Sequence, residues 1–144
     1  MLVQDLLTDK GGSIFSVGPD AGIDEAVAVM IEKDISSIVV MDGGRMAGLI
    51  TLRELLRGLS ALGSRLVAAK VRDIMKPNPP VAKPDDTADH LRGLMTELHI
   101  THVPVVDEGR LVGILSFHDI AKSAIKDVAF ENKLLKEYIR NWPE

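Results

Sequence analysis

Val103-Pro104-Val105-Val106-Asp107-Glu108-Gly109-Arg110-Leu111-Val112-Gly113-Ile114-Leu115-Ser116-Phe117-His118-Asp119-Ile120 sets two short runs of branched apolar residues on either side of an Asp-Glu-Gly-Arg turn. That pattern predicts a buried β-hairpin. Ser-x-x-Asp then leads into helix-compatible residues, so Ser116 and Asp119 meet where a strand hands over to a helix. This junction is the candidate functional site.

The stretch occurs twice. A shift of 65 positions lays Val40 to Leu55 on Val105 to Ile120 without a gap, and the match extends back to Pro19 on Pro84. Over those 37 positions 11 residues are identical: Pro19, Asp20, Asp24, Met30, Glu32, Ile35, Val40, Asp42, Gly44, Arg45 and Gly48 with their later counterparts. Chance would give about two at average compositions. The chain is a tandem repeat, with a first copy over 1–66 and a second over 67–144 that ends in an extended helix.

Outward from the hairpins, the elements follow from periodicity. Ile14 to Val17 reads as a strand stopped by Gly18-Pro19. Ile23, Ala26, Val27, Met30 and Ile31 form one apolar helical face, and Leu91, Leu94, Met95 and Leu98 repeat it behind a predicted N-cap at Thr87. Ile38 to Met41 and Met46 to Ile50 make the first hairpin, and Leu52, Leu55, Leu56, Leu59 and Leu62 stripe the helix after it. Each half is therefore β-α-β-β-α, an α/β (α+β) arrangement. Val3 to Leu7 and Val71 to Met75 are similar apolar segments at a shift of 68, followed by glycines in one case and by Lys76-Pro77-Asn78-Pro79-Pro80 in the other. In the tail, Ile120, Ala124, Val128, Leu135, Tyr138 and Trp142 lie near one stripe with no breaker before Pro143. One helix of about 23 residues is expected, near 35 Å long.

Composition bounds the function. The 144 residues, 46% of them apolar, supply one compact domain with an aliphatic core. A net charge of -4 argues against broad nucleic-acid binding. Without cysteine there is no disulfide, no thiolate zinc site and no cysteine nucleophile. The N-terminus lacks a basic leader and no apolar run spans a bilayer, so a cytoplasmic protein with no membrane partner is expected.

The tandem pattern of Pro-Val-Val-Asp, a Gly-Arg turn, Gly-Ile-Leu-Ser and an Asp-Ile helix start resembles the CBS domain occurring as a pair, the Bateman module. The resemblance covers nearly the whole chain, and the tail Leu135-Lys136-Glu137-Tyr138-Ile139 is similar to stand-alone bacterial CBS-pair proteins. It implies two repeats related by a pseudo-twofold and a regulatory role without catalysis. It also implies an adenosyl ligand, AMP first and otherwise ADP, ATP, NAD(H) or S-adenosylmethionine, held in clefts between the halves.

Physical chemistry reads the junction in the same terms. One carboxylate can accept from both hydroxyls of a ribose, while a hydroxyl and free amides at a helix start favour phosphate. The resemblance puts Asp119 on the ribose and Ser116 on the sugar-phosphate. Thr51 and Glu54 take those places in the first half, where Glu54 departs from the usual Asp. His102, with Ser37 as its counterpart, falls at a phosphate-contacting position of the family, and His118 and Arg53 each precede the acidic residue. Backbone contacts to the base would come from Ser16 and Val17, or from Pro80 and Val81. The cleft using Ser116 and Asp119 is expected to be the stronger one.

Bland readings stand beside these. Thr51-x-x-Glu54 and Ser116-x-x-Asp119 both have the form of capping boxes, and the sequence leaves capping and ligand contact open. Gly48 and Gly113 read either as close approaches to a ligand or as strand bends. His99 and His102 stand three apart, but the helix is read to stop near Ile100 and no cysteine joins them, so no metal is expected. Ser116, His118 and Asp119 fall within one turn, where no Ser-His-Asp relay forms, and neither Gly-x-x-x-x-Gly-Lys nor Gly-x-Gly-x-x-Gly is present. The surplus of apolar helix surface predicts a homodimer built on helices. A ligand-free assembly module is the remaining alternative.

Overall fold

A computed structural model describes residues 1–140. Trp142 and Pro143 of the predicted tail lie outside the described residues. In the first half α1 (Val3–Lys10) precedes β1 (Ser16–Val17), α2 (Ile23–Lys33), β2 (Ser37–Asp42), β3 (Arg45–Thr51) and α3 (Leu52–Leu62). A 3-10 turn over Gly63–Ala68 leads to α4 (Val71–Ile74), β4 (Lys76–Pro77), α5 (Ala88–Leu98), β5 (His102–Asp107), β6 (Arg110–Ser116) and α6 (Phe117–Arg140). Among the described residues no helix is long and apolar enough to cross a membrane.

The two hairpins are built alike. Val40 pairs with Gly48 and Val105 with Gly113, and in both the register shifts at the next residue, so each hairpin carries the same bulge. The second turn places Glu108 and Gly109 at φ 49° and 80°. Positive φ at both central residues matches the right-handed twist of the strands. The first strand of each half is shorter than the apolar run suggests: β1 is two residues, paired parallel to β2, and its counterpart is a lone parallel bridge from Ala82 to Val105.

The short apolar segments that open each half are helices, and each packs in the other half's core. Val3 and Leu6 of α1 are buried with Leu91, Met95, Val103, Val105, Leu115 and Ile120. Val71 of α4 is buried with Ile23, Ala26, Met30, Ile38, Val40 and Ile50. Matching hydrogen bonds fix them: Val3 N donates to Asp86 O at 2.8 Å and Gln4 N to Pro84 O at 2.9 Å, while Val71 N donates to Ala21 O at 2.8 Å and Arg72 N to Pro19 O at 2.9 Å. The lead-in β4 then crosses to extend the first sheet, which runs β1-β2-β3-β4.

At Gly48 and Gly113 the segments that cross between the halves come close to the strands. A Cβ on Gly48 would stand 2.8 Å from Lys76 O and from Met75 Sδ, and one on Gly113 would stand 2.5 Å from Leu7 Cδ2. The two glycines therefore admit the crossing segments to the strands.

The apolar stripe of α2 is corrected, while that of α3 is largely the surplus apolar surface expected from the sequence. On α3 the inward residues are Glu54, Gly58 and partly Leu55, whereas Leu52, Leu56 and Leu59 face outward, Leu56 at 68% exposure. On α2, Ile23, Ala26 and Met30 are buried, but Ile31 is exposed. The helical period could not distinguish a core stripe from an outer one. Thr87 caps α5 as expected, its Oγ1 accepting from His90 N at 3.1 Å. The tail helix α6 has 24 residues, and past Ser123 its apolar residues Ile125, Val128, Leu134, Leu135, Tyr138 and Ile139 are all exposed.

Candidate functional site

Two clefts lie between the halves, with volumes of about 350 and 400 Å³. Both are large enough for a nucleotide-sized ligand. In the first, the lead-in Gly12 to Phe15 and the start of β2, Ser36 and Ser37, face Ser116 at the end of β6. In the second, Pro79 and Pro80 and the start of β5, Thr101 and His102, face Thr51 at the end of β3. The shift of 65 that relates the repeats carries Ser36-Ser37 onto Thr101-His102 and Thr51 onto Ser116. The clefts are pseudo-twofold mates, each made by a strand-to-helix junction of one repeat and the entry of the other.

The first junction is closed by its own capping box. Thr51 N and Thr51 Oγ1 both donate to Glu54 Oε1, at 2.8 and 2.7 Å, and Arg53 N donates to Thr51 Oγ1 at 3.2 Å. Glu54 is 6% exposed. A buried carboxylate is tolerable when it accepts such bonds. Around it the second cleft is cationic, with Arg53, Arg57 and Lys76 in its wall.

The second junction has the same box with an added partner. Ser116 N donates to Asp119 Oδ2 at 2.8 Å and Asp119 N donates to Ser116 Oγ at 3.1 Å. Lys10, from the far end of the chain, sets its ammonium 2.8 Å from the same Oδ2 and 2.8 Å from Ile114 O. Burial works to raise the Asp119 carboxyl. The hydrogen bond from Lys10, the Ser116 amide, the Lys10 charge and the Ser116 hydroxyl together outweigh it and hold the carboxyl below its ordinary range.

His102 stands in the partition and lines both clefts. Its Nε2 is 3.1 Å from Ser36 Oγ and its Nδ1 is 2.8 Å from Thr101 Oγ1. Burial, then the charge of Lys10, pushes its pKa down to about 4 against the opposing pull of Asp119 and Glu54. The ring is neutral at pH 7 and acts as a hydrogen-bonding group rather than a cation.

The sequence-derived residues thus divide between the two clefts. Ser116 and Ser37 line the first, while Thr51, Arg53, Glu54 and Pro80 line the second. Asp119 is not in the lining of either cleft but is bonded to Lys10 and Ser116, which line the first. Ser16, Val17, Val81 and His118 line neither of these clefts. Val17 is buried in the first core, and His118 is exposed on the first turn of α6. Lys10, Ser36, Arg57, Lys76 and Thr101 were missed. Comparing the repeats could have found Ser36 and Thr101, which are hydroxyls at equivalent positions; nothing along the chain marks Lys10.

The CBS domain family model matches residues 3–61 and 71–126. Among solved structures, a CBS-domain containing protein from Agrobacterium tumefaciens is 34% identical with a TM-score of 0.83, covering 86% of this chain and 99% of that one. The CBS domain pair of protein MJ0100 in complex with 5'-methylthioadenosine and S-adenosyl-L-methionine is 27% identical with a TM-score of 0.77, covering 88% and 98%. CBSX2 in complex with AMP is 27% identical with a TM-score of 0.67, covering 78% and 88%. An inosine-5'-monophosphate dehydrogenase of Korarchaeum cryptofilum is 32% identical over 74% of this chain, but the match takes in only 21% of that enzyme.

Proposed function

This chain belongs to the CBS domain family, and from that premise we propose that it is a regulatory module binding an adenosine nucleotide in the clefts between its repeats, with AMP as the first ligand to test. The observation that carries the reading is the pair of symmetry-related clefts, each joining a hydroxyl-carboxylate junction to the entry of the opposite repeat. Structures of relatives with AMP, and with 5'-methylthioadenosine and S-adenosyl-L-methionine, support an adenosyl class. ADP, ATP and NAD(H) extend the same chemistry.

In this reading Asp119 takes the ribose diol in the first cleft, with Ser116, Ser37 and His102 on the sugar-phosphate side. The first cleft is the stronger of the two in this reading because each carboxylate already accepts two bonds on one oxygen, but Glu54 is buried at 6% exposure whereas the Asp119 side chain is 19% exposed and has more to offer a sugar. Calorimetry of the full chain with AMP, ATP, NADH and S-adenosylmethionine tests the class. Asp119→Ala is expected to weaken AMP binding roughly 10- to 150-fold, the loss of one charge-assisted bond. If that variant binds as the wild type does, the ligand has been assigned to the wrong cleft; if no adenosyl compound binds at all, the assembly-module alternative takes its place.

The assembly proposed with it is a homodimer through α3 and α6. Leu52, Leu56 and Leu59 on one helix and Ile125, Val128 and Leu135 on the other are all more than half exposed, a patch of the kind that marks an interface.

A further inference from the structure

Lys10 holds a place that a strand takes in the other repeat. Ile114 is the counterpart of Leu49 at the shift of 65, and Leu49 is paired through the strand β4, as the register partner of Lys76. On the other side the second sheet is β5-β6 alone among the described residues, and Gly11 and Gly12, at φ 60° and 87°, follow α1 where a pairing strand would begin. There it is the Lys10 ammonium, and no strand, that takes the Ile114 carbonyl, and the same ammonium holds Asp119. A side chain with four methylenes and three rotatable donors can leave and return without any backbone pairing being broken. Asp119 does not line the first cleft while Lys10 does, so the ammonium stands between the carboxylate and whatever enters.

Resting on the nucleotide reading above, we propose that Lys10 is the specificity-determining residue of the first cleft, an internal competitor for the sugar-binding carboxylate that makes the cleft select phosphorylated nucleosides. A neutral nucleoside that takes Asp119 strips the ammonium of its carboxylate and supplies only neutral hydroxyls in exchange. A sulfonium nucleoside adds a like charge. A nucleoside phosphate alone offers the displaced ammonium a second anion, so the charge-assisted bond is traded rather than lost. The other titratable groups in that cleft wall do not supply this selection: Asp34 is an anion, and His102 is neutral at pH 7.

The test is calorimetry of the full chain and of Lys10→Met with AMP, adenosine and S-adenosylmethionine, with Lys10→Arg as a second variant and thermal melts to verify folding. In the wild type AMP is expected to bind more tightly than adenosine. In Lys10→Met adenosine should bind about tenfold more tightly and AMP no more tightly than before, collapsing the preference by at least that factor, whereas Lys10→Arg should retain it. If Lys10→Met still binds AMP and its preference over adenosine is unchanged, Lys10 is a structural tether only, and the nucleotide reading survives. If none of the three compounds binds either protein, the nucleotide reading falls and takes this proposal with it.

Discussion

The hydroxyl of Ser36 lies 3.1 Å from Nε2 of His102, joining equivalent ends of β2 and β5 across the partition between the clefts. With Nδ1 against Thr101 Oγ1, both ring nitrogens are engaged, and a neutral imidazole meets both contacts because hydroxyls serve as donor or acceptor. Protonating the ring would leave it with two donors in a half-buried site beside the Lys10 ammonium.

That arrangement predicts acid sensitivity well above the carboxylate range. The His102 pKa falls from 6.5 in the unfolded reference to about 4 in the fold. Between those values the unfolded chain binds more protons, so stability drops as pH is lowered through that window. The loss from pH 7 to pH 5 should be on the order of 2 kcal/mol. Asp119 is also held below its ordinary value of 3.8, so its contribution is present above that pH and disappears only further down. Urea denaturation at pH 7 and pH 5 measures the slope, and His102→Gln should flatten it. An unchanged slope would place the acid sensitivity in another group.

The two close-approach glycines should not respond alike to a methyl group. Gly48→Ala meets the backbone carbonyl of Lys76, which is held in β4, and should cost roughly 1 to 3 kcal/mol by overpacking. Gly113→Ala meets the end of the Leu7 side chain, which can rotate, and should cost less. Adding Leu7→Ala to Gly113→Ala should recover part of that loss. Denaturation midpoints in the reverse order would refute this account of the crossings.

Glu54 should behave as a structural residue. Glu54→Ala removes the acceptor for Thr51 N and Oγ1 and should cost about 1 to 2 kcal/mol of stability through the lost cap. Its effect on AMP affinity should be far smaller than that of Asp119→Ala. A Glu54→Ala protein that melts normally but no longer binds AMP would reverse the ranking of the clefts.

Assembly has its own check. Leu56 on α3 and Ile125 on α6 are 68% and 70% exposed. A Glu at either position should weaken a dimer built on these helices by at least about tenfold, since buried apolar anchors dominate such interfaces. Sedimentation velocity at tens of micromolar would show this as a shift from dimer to monomer. A wild-type chain that is already monomeric there would remove the helix-dimer reading.

Much of this was legible from the chain, and for definite reasons. The hairpins, the Thr87 cap, the two Ser/Thr-x-x-acid boxes and the long last helix depend on residues within a few positions of one another, where turn chemistry and periodicity act. What was missed depends on pairs distant in sequence. Nothing near Lys10 indicates that it meets a carboxylate 109 residues away. Nothing near Gly48 or Gly113 says that a crossing segment rather than a ligand approaches. The leucines of α3 have an impeccable period, yet the helix turns Gly58 inward because Leu66 and Ile74 lie against it.

The exchanged positions of α1 and α4 bear on why the chain carries its repeat twice. A single repeat cut from this protein would present the apolar side of its opening helix to water and would lack the helix that closes its own hydrophobic interior. Duplication within one polypeptide makes that reciprocal debt local, so neither half has to find its counterpart by diffusion. A chain holding residues 67–144 alone should satisfy it only by trading helices with another copy, which sedimentation would reveal as a domain-swapped dimer that loses its fold on dilution.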